Sequence, residues 1–360
     1  MDAKRPAAVE VSNLAKHYGP VVALKNVDLT IEAGEYFVLL GPSGGGKTTL
    51  LRTIGGFHKP TAGKVILHGQ DVSGLPPDKR PTSMVFQSYA LFPHMTVAQN
   101  VGYGLTLTRQ PREEIRLRTE AMLDMVGLTG YGERRPHELS GGQQQRVQLA
   151  RSLVLDRDIL LLDEPLAALD AKLRKDMCLE LKHLQEKVGI TFVHVTHNQE
   201  EAMTIADRIA LIADGELVEE GTARDIYEAP QKRFTADFVG ENNLLSGKAA
   251  SVTEDGVDVD LGSGTIRVDR RGLQVAQGDD VWVSIRSELL QLGAGEGGRS
   301  LPATYRETVY LGLTTSHLVS LGNGAELSVR VVSSADAAPV APGTAVEVSW
   351  APGAARLHVS

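Results

Sequence analysis

The sequence predicts an α/β domain followed by an all-β domain, and three observations carry that prediction. Strand-like and helix-like runs alternate up to about residue 240, as they do where helices cover a sheet. Beyond Asn243 the helical pattern disappears, and short alternating apolar runs are separated by turn residues. Between an apolar run and a helix-like run lies Gly41-Pro42-Ser43-Gly44-Gly45-Gly46-Lys47-Thr48, a glycine-rich loop of phosphate-binding type.

In chain order, Val27, Leu29 and Ile31 alternate with Asp28, Thr30 and Glu32, the pattern of a half-buried strand. Residues 36–40, 159–162 and 190–195 are more continuously apolar, as strands covered on both faces should be. Residues 112–126 and 172–188, rich in Arg, Glu, Leu and Gln, read as helices. In the second half Val281, Val283 and Ile285 alternate with polar or half-polar neighbours, as do Leu327, Val329 and Val331, and Val346, Val348 and Trp350. Glu254-Asp255-Gly256, Gly322-Asn323-Gly324 and Ala351-Pro352-Gly353 supply the turns. Lys248 is the only lysine after Asn243. These features predict a small barrel.

The chain has 360 residues, enough for two or three domains and a large core. With 37 Lys+Arg against 45 Asp+Glu, its formal net charge is −8, which argues against non-specific nucleic-acid binding. The start leads into no apolar signal region, and the longest apolar runs are strand-length, far short of a bilayer span. A single cysteine, Cys178, excludes an intramolecular disulfide and reads as a small buried hydrophobe.

Chemistry enters with the glycine-rich loop. Its glycines let successive N–H groups turn inward around phosphate oxygens, and the helix that follows adds partial positive charge. Lys47 can reach the β- and γ-phosphates, and the Thr48 hydroxyl can ligand Mg2+. A plain turn with a surface lysine is the alternative; the match to the whole motif between a strand and a helix opposes it. Asp163 and Glu164 follow the apolar run 159–162, at the strand end where open α/β sheets bind ligands. Asp163 can orient Mg2+ through water, and Glu164 can polarise the attacking water. An apolar run followed by Asp-Glu also fits a capped helix start, so this reading leans on the phosphate loop.

Leu139-Ser140-Gly141-Gly142-Gln143, opening a helix between these two motifs, resembles the signature sequence of ATP-binding-cassette ATPases. Other elements match in order. Tyr18 resembles the aromatic residue that stacks on adenine, and Thr49 completes the phosphate loop. Gln87 resembles the loop glutamine that contacts Mg2+ and water, Ala168-Leu169-Asp170 the loop crossing the dimer interface, and His197 the switch histidine holding the γ-phosphate. The resemblance implies a cassette of mixed sheet plus helical subdomain over residues 1–240, with the subdomain at about 88–157. Residues 241–360 resemble the OB-like (TOBE) accessory domain of importer ATPases, which is regulatory and helps dimerisation. It further implies ATP and Mg2+ as cofactors and a head-to-tail dimer with a second copy. In that dimer Ser140, Gly141, Gly142 and Gln143 of one cassette complete the other's ATP site. Glu164 would be the general base.

Residues 86–97 closely resemble importer cassettes, with coupling around Gln87, Tyr89, Phe92 and Pro93. The expected partners are two transmembrane permease subunits and, indirectly, an extracytoplasmic solute-binding protein, with the chain peripheral at the cytoplasmic face of the cell membrane. Residues 310–315 and 346–350 look most like the polyamine (spermidine/putrescine) type; ferric iron, glycerol phosphate and sugars are the alternatives. Two departures stand out: Ala167 replaces a usual serine, and Arg286-Ser287-Glu288 replaces Arg-Pro-Glu. A non-transport cassette acting on nucleic acid is the rival class. The short separation of Lys47 from Leu139 leaves no room for a coiled-coil arm, and the acidic charge opposes it too.

Overall fold

A computed structural model describes residues 6–87, 90–108, 110–295, 299–334 and 340–359. The chain divides into two compact units, Met1–Arg224 and Asp225–Ser360.

The first unit begins with β1 (Ala7–Tyr18) and β2 (Val21–Glu32), an antiparallel pair closed by a tight turn. The alternation read at Val27, Leu29 and Ile31 holds, with all three buried. Next come β3 (Tyr36–Leu40), α1 (Lys47–Ile54), β4 (Ala62–Leu67), β5 (Gln70–Asp71) and β6 (Thr82–Val85). A helical subdomain follows: α2 (Val97–Thr106), α3 (Arg112–Met125) and α4 (Gly141–Leu153). The chain then returns through β7 (Ile159–Asp163), α5 (Ala171–Val188), β8 (Thr191–Val195), α6 (Gln199–Ile205), β9 (Arg208–Ala213), β10 (Glu216–Gly221) and α7 (Ala223–Glu228).

Two sheets result. One is antiparallel, in the order β2-β1-β4-β5; the other runs β10-β9-β3-β8-β7-β6, parallel from β9 to β6 with β10 antiparallel at its edge. Their facing side chains, with Leu50, Leu51 and Ile54 of α1, form one core. Every residue of β3, β7 and β8 is buried, which is why these runs lack polar alternation. The helical subdomain has its own core around Val101, Leu123 and Val147.

Parallel strands put their carboxyl ends on one edge, and ligand loops gather there. The neighbouring strands β3, β8, β7 and β6 end at Leu40, Val195, Asp163 and Val85. The phosphate loop, His197, Glu164 and Gln87 follow these ends, so topology alone brings four distant sequence segments side by side.

The second unit takes in Asp225–Glu228 of α7 and carries α8 (Arg233–Phe238), followed among the described residues by strands and one 3-10 turn (Ser287–Leu289). The strands are β11 (Asn242–Val252), β12 (Gly256–Asp260), β13 (Thr265–Asp269), β14 (Asp280–Arg286), β15 (Leu290–Leu292), β16 (Ser300–Tyr310), β17 (Thr314–Leu321), β18 (Glu326–Val332), β19 (Ala345–Trp350) and β20 (Arg356–Val359). They form two five-stranded antiparallel sheets, β13-β12-β11-β14-β20 and β15-β19-β16-β17-β18, around a single core, a nearly closed barrel. Gly322-Asn323-Gly324 and Ala351-Pro352-Gly353 fall between consecutive strands, and Glu254-Asp255 lies between β11 and β12 with Gly256 opening β12. Val331 departs from the expected alternation: it is exposed, because the last residues of β18 run beyond the core that Leu327 and Val329 fill. The segment before β11 is fastened to this unit by Arg286, whose guanidinium donates to the carbonyls of Tyr227 and Val239.

Candidate functional site

The phosphate loop is shaped by close backbone approach. Gly41 has φ +151°, and a Cβ there would lie 2.0 Å from the Ile212 carbonyl oxygen. Gly46 caps α1 at φ +107°, where a Cβ would come within 2.7 Å of the Ala23 carbonyl oxygen. No side chain fits at either position, so the loop amides stay open toward a ligand. Lys47, the first residue of α1, is buried and donates to the carbonyls of Gly41 and Pro42 at 2.8 Å each. Burial pulls its pKa down, against the pull of Glu164 and Asp163 in the opposite direction. Pro42, Ser43, Gly44 and Gly45 complete the turn between β3 and α1, with Ser43 and Gly44 exposed, and Thr49 lies in the first turn of α1.

Asp163 closes β7 beneath this loop. One oxygen accepts from the Thr48 hydroxyl at 2.9 Å, the other from Arg52 Nη2 at 3.1 Å. Glu164, one residue on, turns the other way. Its φ of +47° is the left-handed region that bulky residues avoid, and its N–H is held by the Val195 carbonyl at 3.1 Å. Gln87 Nε2 donates to Glu164 Oε2 at 3.1 Å, and His197 Nδ1 lies 3.3 Å from Oε1. Strand ends from β6, β7 and β8 thus meet on one carboxylate.

The remaining expected residues lie outside this cluster. Ser140 caps α4: its hydroxyl accepts from the Gln143 N–H, while its own N–H donates to Gln143 Oε1 at 3.0 Å. Gly141 and Gly142 form the first turn of α4, and Gln143 Nε2 reaches Tyr131 within the helical subdomain. Asp170 caps α5, accepting from the Leu173 N–H at 3.0 Å. Tyr18 is 42% exposed at the end of β1, edge-on to His58 and with Lys16 over its ring. Within residues 86–97, Ser88 and Tyr89 lie outside the described residues. Phe86 and Ala90 are tied to α4, because Gln148 and Arg151 donate to their carbonyls. Asn100 holds the 92–96 segment through the carbonyls of Phe92, Met95 and Thr96.

The residues present suit Mg2+. The Thr48 hydroxyl and the Asp163 carboxylate are hard oxygen donors in direct contact, beside a cradle that a Cβ would fill. Arg52 was not singled out from sequence. It stands four residues after Thr48 on α1 and so shares its face, which is the signal that would have found it.

Comparison with known proteins is consistent with both units. An ABC transporter family profile matches residues 24–167, and a TOBE domain profile matches residues 283–357. A protein of Roseobacter denitrificans named "Spermidine/putrescine import ATP-binding protein PotA" is 47% identical over 359 residues, 98% of each chain. One of the same name from Rubrobacter xylanophilus is 45% identical, over 96% of this chain and 92% of its own. Among solved structures, a dimeric post-hydrolysis state of the ATP-binding cassette MJ0796 bound to ADP and Pi is 37% identical with a TM-score of 0.53. It covers 60% of this chain and 99% of its own.

Proposed function

This chain belongs to the ABC transporter family as an ATP-hydrolysing subunit, and we propose that it powers import of a polyamine of the spermidine/putrescine class. The observation that carries the catalytic reading is the convergence of Gln87 and His197 on Glu164, next to an Asp163 bound to Thr48. The nucleotide-handling part is taken as residues 1–240, with a helical subdomain at about 88–157, and the accessory part as 241–360.

In this reading the N–H groups of residues 43–49 and the Lys47 ammonium bind the phosphates, the main electrostatic contribution to catalysis. Tyr18 stacks on adenine. Glu164 accepts a proton from the attacking water as its oxygen bonds to the γ-phosphorus. The bond to the β–γ bridging oxygen breaks, leaving ADP and phosphate. His197 and Gln87 hold the Glu164 carboxylate and the γ-phosphate in line. Thr48, Gln87 and, by way of water, Asp163 would hold Mg2+, which would supply neutralisation of phosphate charge.

A second copy completes each site. In this reading the start of α4, Ser140, Gly141, Gly142 and Gln143, meets the other cassette and Asp170 crosses the interface, which the exposure of Ser140 and Asp170 supports. A dimeric relative with ADP and Pi supports this arrangement. Among the described residues no helix is long and apolar enough to cross a membrane. The chain is assigned to the cytoplasmic face, contacting two permease subunits through residues 86–97, with an extracytoplasmic binding protein delivering solute.

Glu164→Gln tests the chemistry. ATP binding and dimer closure persist while hydrolysis falls by about 10²–10⁴-fold, the usual worth of a general base; wild-type hydrolysis would remove Glu164 from that role. Reconstitution with the permeases tests the cargo. Uptake of labelled spermidine is expected, and uptake of another solute with none of polyamine would overturn the cargo while leaving the ATPase intact.

A further inference from the structure

Behind His197 lies a buried charged group that the mechanism above does not use. Glu201 is 5% exposed, on α6. Its Oε2 accepts from the Thr196 hydroxyl at 2.7 Å, and the Thr196 oxygen in turn accepts from the Asn198 N–H at 2.9 Å. The Asn198 side chain returns to cap α6 through the Glu201 N–H at 3.1 Å. Thr196, before His197, is therefore held by the Glu201 carboxylate, and Asn198, after it, by the Thr196 oxygen and the Glu201 N–H. Neutral His194, hydrogen-bonded to Tyr36, seals the inner side, with Nε2 at 3.7 Å from Oε2. Burial pushes the Glu201 carboxyl up, opposed by the Thr196 hydroxyl and Arg174.

The other Glu201 oxygen, Oε1, faces Arg174 Nε at 3.4 Å. Arg174 Nη2 donates to the Leu169 carbonyl at 2.8 Å, one residue before Asp170. One guanidinium thus bridges the interface loop and the anchor of His197.

We propose that Glu201 is a positioning residue that, through Arg174, couples the place of the 168–170 loop to the orientation of His197. The inference rests on the reading of Asp170 as an interface residue and His197 as a γ-phosphate ligand. Closure against a second copy moves or fixes the loop, Arg174 transmits this to Glu201, and Glu201 sets the backbone on either side of His197. The charge pair, rather than the presence of nucleotide alone, commits the site to hydrolysis.

The test uses the full chain and compares Arg174→Met, Glu201→Gln, the double variant and Arg174→Lys. ATP titration, steady-state hydrolysis and thermal melts are followed for each. ATP affinity is expected to stay within about twofold of wild type while kcat falls about tenfold or more, since sub-ångström misplacement acts on the reacting geometry. The double variant should be no slower than the slower single, because both cut one link, and Arg174→Lys should recover part of kcat. Losses that multiply in the double variant, or kcat unchanged in both singles, overturn the coupling. So does a parallel loss of ATP affinity and kcat, which would mark ordinary damage to the fold. Arg174 is partly exposed, so Arg174→Met remains decisive where Glu201→Gln fails to fold. A wild-type chain that hydrolyses no ATP would strike the parent reading as well; unchanged singles strike this inference alone.

Discussion

Arg80→Met should destabilise the cassette by about 3–4 kcal/mol, by an argument that runs through the phosphate helix. Arg80 is 1% exposed. Its Nη1 donates to the carbonyls of Thr53 and Ile54 at 2.8 and 2.7 Å, and its Nε to that of Leu75 at 3.0 Å. Thr53 and Ile54 close α1, where the last carbonyls lack intrahelical partners and a positive charge complements the helix dipole. Methionine preserves most of the aliphatic stem but removes all three donors. Hydrogen bonds from a charged group contribute roughly 1.5–3 kcal/mol each. The burial that lowers the Arg80 pKa offsets part of that sum. At about 2–4 °C per kcal/mol for a unit of this size, the melting temperature should fall by roughly 6–16 °C. The assay can separate the two units, because Trp282 and Trp350 both lie in Asp225–Ser360 whereas most helices lie in Met1–Arg224. The far-UV helical transition should move and the tryptophan fluorescence transition should stay. A helical-unit loss below about 1 kcal/mol would refute the reasoning, since that is the worth of a single neutral hydrogen bond.

Three further outcomes follow from particular side chains. Burial lowers the His194 pKa to about 3, so an unfolded chain takes up a proton that the folded one refuses. The resulting stability is full above about pH 6.5 and declines as pH falls, by about 2 kcal/mol at pH 5. His194→Asn, which keeps an acceptor for Tyr36, should flatten that acid limb in urea titrations; an unchanged slope would count against it. Cys178 is buried, and burial pushes its thiol up to about 12, so native protein should react slowly with a disulfide reagent and denatured protein at once. Full labelling of native protein within minutes would contradict this. Gly41→Ala sets a Cβ 2.0 Å from the Ile212 carbonyl oxygen and should abolish ATP binding without moving the tryptophan transition; normal ATP affinity would show that the loop yields.

Much of the fold was legible because its signals are local. The buried runs of β3, β7 and β8 and the turn residues of the second unit are written over a few neighbouring positions. The phosphate loop is equally local, since glycine is demanded wherever backbone comes against backbone, as at Gly41 against Ile212. What sequence reading missed is non-local. Arg80 lies 26 residues from Ile54, with β4 and β5 between them in the chain. Glu201 follows another glutamate, the exposed Glu200, and nothing in Gln199-Glu200-Glu201 marks which one turns inward. Gln87 shows the same limit from the other side. Its kinship to a metal-contacting residue was readable, but its hydrogen bond to Glu164 depends on β6 and β7 being neighbours. Val331 failed the alternation for a further reason: period-two patterning reports the face a side chain takes, not whether a core lies opposite it.

The adjacent carboxylates Asp163 and Glu164 illustrate how backbone conformation divides chemistry. In a regular strand, successive side chains point to opposite faces, yet both would remain on the flanks of the sheet. Here β7 ends at Asp163, which stays in register and turns its oxygens to Thr48 and Arg52 of α1. Glu164 leaves the strand at φ +47°, a conformation costing about 1–2 kcal/mol for a residue with a Cβ. That departure carries its carboxylate to the ends of the two flanking strands, where Gln87 and His197 meet it. The Val195 carbonyl that fixes the Glu164 N–H belongs to the strand that delivers His197, so one backbone bond sets the spacing of both groups. A residue more tolerant of positive φ would relieve the strain but lacks the reach and charge to be held from both sides. The strain therefore belongs to the site, and its cost is offset by a sheet whose strand order leaves Glu164 no other place to stand.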